Sequence, residues 1–126
     1  MRIGVTGSRN DRPVSVIERL QARLVEMGAT ELHHGDCVGF DRQAHEVAAA
    51  LGLRIVVHPP TINSLRAYCE ASEVLPPLDY LARNRAIVDA VDYLIAAPDG
   101  PERQRSGTWS TVRYAKSRGV RGVVLT

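Results

Sequence analysis

Cysteine is scarce in this chain. Cys37 and Cys69 stand alone with no CxxC pair, so neither a disulfide framework nor a cysteine zinc site is indicated, and both are expected to be reduced thiols. The four histidines show no HExxH or comparable ligand spacing, and no metal or other cofactor is expected. Aromatic residues make up 5% of the sequence, a thin supply for the stacking platforms of a single-stranded nucleic-acid groove. No apolar run is long enough to cross a bilayer, so no membrane partner is expected. Lysine is nearly missing: of 16 Lys and Arg residues only Lys116 is lysine. Arginine presents a planar fork of donors that suits phosphate and carboxylate. The net charge of +2 does not by itself indicate nucleic acid, so the position of each arginine matters more than the number.

Hydrophobic residues at 44% and charged residues at 24% are ordinary for a soluble globular protein. A chain of 126 residues can bury roughly two-thirds of its unfolded surface and is read as one domain, residues 1–126. Residues 1–5 enter an apolar strand pattern at once, which leaves no room for a signal peptide and makes the cytoplasm the expected location.

Apolar spacing and breakers alternate strand with helix. Strands are predicted at residues 2–5, 30–34, 53–57, 93–97 and 122–125, and helices at 13–27, 41–51, 78–90 and 108–117. Residues 61–77 are predicted to be irregular with a short helix at 64–71, and 101–106 to be a polar, mobile loop. In the first helix Val16, Ile17, Leu20, Leu24 and Met27 recur at helical spacing, with Pro13 opening it and Gly28 stopping it. Each parallel crossover needs a helix to return the chain, so the alternation predicts an α/β fold. The expected architecture is a three-layer Rossmann-like sandwich with a mainly parallel five-stranded sheet in the order 3-2-1-4-5. Ligands of such sheets gather beyond the carboxyl ends of the strands, where the order reverses, here at the loops after strands one and four.

Four polar stretches fall toward that edge. "TGSR", Thr6 to Arg9, follows the first strand: Gly7 would permit unusual backbone angles and free amides to face an anion, Ser8 adds a hydroxyl and Arg9 a cation. A plain turn would use the same residues. "RSGTWST" opens the last helix, where Ser106, Gly107 and Thr108 could hold phosphate at the unpaired amides, or Ser106 or Thr108 could simply cap it. In "HGDCVGFDRQAH", Gly35 and Gly39 allow close approach of backbone to ligand, Asp36 could accept from a sugar or base, and Asp41 is placed to cap a helix with His45 one turn on. "RNR" puts Arg83, Asn84 and Arg85 near a helix start, at a ligand rim or on a solvated face.

Together these stretches resemble the SLOG superfamily, the Rossmann-like group that contains DprA/Smf and the LOG phosphoribohydrolases, and within it the small YspA-like branch. The similarity rests on "TGSR", "HGDCVGFDRQAHEVA", "RNRAI" and "SGTWSTVRYA" in that order along nearly the whole chain. It implies a single domain that binds a nucleotide or nucleotide-derived ligand. It marks Gly7, Ser8, Arg9, Gly35, Gly39, Asp41, Arg83, Asn84, Ser106, Gly107 and Thr108 as the positions most like the family's ligand loops, and it implies homodimers or higher homo-oligomers. The chain departs from the LOG pattern PGGxGTxxE: Gly107-Thr108 match GT, but Thr111 stands at the glutamate and Arg105-Ser106 replace the leading glycines. Threonine is no carboxylate base, so hydrolysis of an N-glycosidic bond is the alternative rather than the first reading. The first reading is a sensor or binding module in which Arg9 and residues 106–108 hold phosphate while Asp36, Asp41 and Asn84 face sugar or base. A DprA-like binder of single-stranded DNA is the third.

Overall fold

The computed structural model describes residues 1–104 and 106–126. Its elements run β1 (Arg2–Gly7), α1 (Val14–Glu26), β2 (Glu31–His34), α2 (Phe40–Ala50), β3 (Arg54–Val57), β4 (Glu73–Val74), α3 (Tyr80–Ala90), β5 (Tyr93–Ala97), α4 (Gly107–Ser117) and β6 (Arg121–Val124). All strand pairs are parallel, in the order β4-β3-β2-β1-β5-β6.

The period-two alternation of buried strands divides the apolar side chains between two cores. Ile3, Val5, Leu32, Ile55, Val57, Ile95 and Ala97 face α1 and α2, which answer with Val16, Leu20 and Leu24 and with Phe40, Ala44 and Ala48, each set spaced by four. Leu94 and Ala96 face the other way, toward Val88 of α3 and Val112 and Ala115 of α4. The three layers are therefore α1 and α2, the sheet, and α3 and α4.

The predicted five-strand order survives as β3-β2-β1-β5-β6, and the sheet gains a sixth strand. β4 is two exposed residues that pair with Val56 and Val57, a backbone contact that no apolar spacing announces. The helix expected at 64–71 does not form. That segment is irregular, and its backbone is tied instead to residues far away in sequence, with Ala67 N donating to Asp36 O at 2.7 Å and Val38 N to Leu65 O at 2.9 Å. Because all strands are parallel, Gly7, His34, Val57 and Ala97 end at one edge, and the order reverses between β1 and β5.

Candidate functional site

At the reversal point the loop after β1 is pinned from two sides. Ser8 N donates to Ala97 O at the end of β5 (3.1 Å), and Phe40 N, at the start of α2, donates to Ser8 O (3.1 Å). The expected special backbone angle at Gly7 is absent, since its φ is not positive. Glycine is needed there for contact: a Cβ would lie 2.4 Å from the Phe40 ring. The strained conformation sits at Gly39, with φ +88°, where a Cβ would meet the Arg9 and Ser8 backbone at 2.4–2.5 Å. Gly39 thus shapes the loop from behind rather than touching the cavity. Ser8 Oγ turns back to Asn10 O (2.6 Å), and the exposed Arg9 guanidinium has no partner among the described residues.

α4 supplies the facing wall. Ser106 is its N-cap, and its hydroxyl accepts from Trp109 N at 3.3 Å. The amides of Gly107 and Thr108 take no partner among the described residues, as expected for a first turn. Trp109 packs on the α3–α4 core and donates its indole N–H to Gly100 O (3.2 Å), which ties the 98–104 loop to the helix. Arg105, the first residue of the "RSGTWST" stretch, lies outside the described residues.

The floor is built around one glycine. Gly35 N donates to Asp41 Oδ2 (3.1 Å), as does Cys37 N (3.3 Å), while Gly35 O accepts from Arg83 Nη1. Asp41 is therefore no helix cap; α2 begins behind Gly39, and the carboxylate holds the loop after β2. Arg83 is not on a solvated rim either, being 6% exposed. Its Nη1 also reaches His58 O (3.3 Å), its Nε donates to Asn84 Oδ1 (2.7 Å), and its guanidinium lies 5.4 Å from the centre of the Tyr80 ring. A Cβ on Gly35 would come within 2.4 Å of Arg83 Nη1, so that glycine makes room for the cation. Burial pushes the Asp41 carboxyl up to about 6, against the pull of Arg83 and the two backbone donors.

These three parts enclose a cavity of about 520 Å³. Thr6, Gly7, Ser8 and Arg9 line one side, Gly35, Asp41, Arg83 and Asn84 the floor, and Ser106, Gly107 and Thr108 the far wall. Two of the site residues named from sequence lie elsewhere. Gly39 stands behind the loop, and Asp36 is fully buried, accepting from Arg66 Nε (2.7 Å) and Cys69 N (2.9 Å) with φ +57°. That pairing spends both Asp36 oxygens on fastening residues 66–69. Sequence reasoning missed Cys37, Tyr80, Asp99 and Arg103, which also line the cavity, the last two paired with each other at 3.3 Å. No local pattern marks them; only the fold brings the end of β5 and the start of α3 to the same edge.

All four histidines pair with each other at this end of the sheet. His34 Nε2 lies 3.0 Å from His45 Nδ1, and His33 Nδ1 lies 2.8 Å from His58 Nε2. The expected Asp41–His45 contact is replaced by the first of these. With Cys69 nearby, His34 and His45 bring three metal-ligating atoms within 4.8 Å of one another, a grouping that sequence spacing did not disclose. Yet Asp36 N donates to His34 Nδ1 (2.9 Å), which leaves the ring proton on Nε2, the atom a metal would need. The cluster is thus arranged as a hydrogen-bonded pair.

Burial lowers His34 to about 3 and His58 to about 4, and lowers His33 as well, from an ordinary value of 6.5. The unfolded chain takes up these protons below 6.5 while the folded chain refuses them, so stability present above that pH is lost as pH falls toward 4. Asp41 acts oppositely between 3.8 and about 6, but it is one group against three. The melting temperature is therefore expected to fall steadily from pH 7 to pH 4.5; a level or rising profile in a scanning-calorimetry series would contradict these burials.

No protein-family model matches the sequence, and no curated protein matches it. Solved structures do. The molybdenum cofactor binding protein of the phototrophic bacterium Rippkaea orientalis aligns with a TM-score of 0.75 at 21% identity, over 98% of this chain and 74% of that one. The Moco carrier protein of Chlamydomonas reinhardtii gives 0.72 at 20%, over 98% and 75%. DNA processing protein A of Streptococcus pneumoniae gives 0.71 at 21%, over 98% of this chain but 49% of that one. No helix among the described residues is long and apolar enough to cross a membrane. This chain shares the Rossmann-like fold of these proteins along nearly its whole length.

Proposed function

We propose that the cavity binds a nucleotide or nucleotide-derived ligand, its phosphate held between the β1–α1 loop and the start of α4, and that the protein acts as a sensor or binding module. Gly107 carries this reading. Its φ is ordinary and the nearest atom to a Cβ there would be Asn84 Nδ2 at 4.0 Å, so the protein itself has no need of glycine at that position. What glycine keeps open is space beside the amides of Gly107 and Thr108, at a helix end that favours anions. Arg9 lines the same space with a guanidinium that has no partner among the described residues. Two of the proteins that share the fold are named for a molybdenum cofactor, which agrees with a small-molecule ligand. Assembly into homodimers or higher homo-oligomers belongs to the same proposal.

The hydrolase reading keeps one support. Thr111, at the position of the LOG glutamate, is buried and donates to Gly107 O (2.8 Å), and Asp36 is committed to Arg66, but Asp41 borders the cavity with a carboxyl near 6. Release of free base from a nucleoside monophosphate would establish it. Single-stranded DNA has less to stack on, since Tyr80 is the one aromatic among the described residues of the lining.

Titration calorimetry with nucleoside monophosphates tests the proposal. Arg9→Ala is expected to weaken binding by about 1.5–3 kcal/mol, the range of a charge-assisted contact, without changing the melting temperature of the free protein. Gly107→Val should leave the fold intact and block binding. Wild-type affinity in both variants would remove the phosphate from this place.

A further inference from the structure

Arg83 and Asp41 are the two charged groups buried in the cavity floor, and each retains one polar atom without a partner among the described residues. Arg83 spends Nε and Nη1 on Asn84, Gly35 and His58, leaving Nη2. Asp41 spends Oδ2 on the amides of Gly35 and Cys37, leaving Oδ1. Arg12 Nε is the one solvent-shielded, unpartnered side-chain polar atom found among the described residues. The free atoms of Arg83 and Asp41 therefore keep access to solvent, and the cavity is the space that both residues border. The two side chains hold opposite ends of one residue, Asp41 the N–H and Arg83 the C=O of Gly35, so a donor group and an acceptor group are anchored on the same residue of the cavity floor. Their hydrogen bonds among the described residues go to other groups and not to each other, which leaves both atoms for a guest. Tyr80, the aromatic ring of the lining, stands beside Arg83.

A donor and an acceptor anchored on one residue are matched by a ring carbonyl beside a ring N–H. Resting on the nucleotide reading above, we propose that the floor selects a bicyclic ring with a lactam edge, as in guanine, hypoxanthine or a pterin, the carbonyl accepting from Arg83 Nη2 and the N–H donating to Asp41 Oδ1. Adenine presents the wrong pattern: its ring nitrogen is an acceptor facing a carboxylate and its amino group a donor facing a guanidinium. A mispaired buried group is costly, so the discrimination is expected to be about 10- to 100-fold.

The test is a titration of the wild-type chain at pH 7.5 with GMP, IMP, AMP, 2′-deoxyGMP and a pterin monophosphate. GMP and IMP are expected to bind alike, and both about tenfold or more tighter than AMP, with deoxyGMP retaining the preference. Comparison of the pterin with GMP then identifies which lactam source fits better. Equal affinities for GMP and AMP would overturn the inference while leaving the phosphate site standing. So would IMP behaving like AMP, which would assign selection to the exocyclic amine, or loss of the preference in deoxyGMP, which would assign it to ribose. Absence of binding by every compound would overturn this inference and the nucleotide reading together. Asp41→Asn gives a second readout: its amide must turn oxygen toward Gly35 N and Cys37 N, presenting a donor to the cavity, so the GMP-over-AMP ratio collapses toward one. A purely structural role would lower both affinities and keep the ratio.

Discussion

Gly39→Ala is expected to cost about 2–4 kcal/mol of stability and to abolish nucleotide binding, although residue 39 touches no ligand. The backbone there has φ +88° and ψ −129°, a region that residues with a side chain reach only at a cost of order 1–3 kcal/mol. The new methyl would also lie 2.4 Å from the carbonyl of Arg9 and 2.5 Å from that of Ser8, atoms of backbone that cannot swing aside. The loop must move outward, breaking the Phe40 N to Ser8 O hydrogen bond, worth about another 1 kcal/mol. Since that loop carries Ser8 and Arg9 into the cavity, the same shift displaces one wall of the site. Urea denaturation measures the first effect and calorimetry the second; a change below about 0.5 kcal/mol, the usual range for neutral substitutions, would refute the close packing of residues 8, 9 and 39.

Arg83→Met should be comparably damaging for a different reason. Methionine replaces much of the volume, but the carbonyls of Gly35 and His58 lose their buried donor and Asp41 loses the cation that holds its carboxyl down. Leaving a buried charge uncompensated typically costs about 3–5 kcal/mol, and a loss of about 3 kcal/mol is expected at pH 7.5. Without Arg83, the Asp41 carboxyl should rise above its wild-type value of about 6. Protonation then relieves the charge, so the deficit relative to wild type shrinks as pH falls from 7.5 to 5.5. A deficit that does not change over this window would mean that Arg83 and Asp41 are electrostatically independent.

Much of the fold is legible because its cause is local. Val16, Leu20 and Leu24 announce a one-sided helix, Ile3 and Val5 a strand, and Ser106 a helix start, each from a signal confined to its own stretch of the chain. The features that escape sequence reading are those whose partners are distant. Arg83 looks like a surface charge beside Asn84 and Arg85; the carbonyls that let it be buried belong to Gly35 and His58. Asp36 looks like a ligand residue until the fold delivers Arg66 and Cys69 to it. Gly7 reads as a position for unusual backbone angles, whereas the pressure on it comes from the Phe40 ring. The site was readable to the extent that loops after parallel strands must share an edge, and unreadable where a side chain's direction is set by tertiary contacts.

The central claim is that the loop after β1 and the first turn of α4 grip one phosphate together. Amide chemical shifts followed during titration with a nucleoside monophosphate test it most directly. Gly7, Ser8 and Arg9 should move together with Gly107 and Thr108, along a single binding curve. Shifts limited to one of the two segments, or centred on the separate surface groove that Arg12 and Ile17 line together with Gln43 and Val47 of α2, would contradict it.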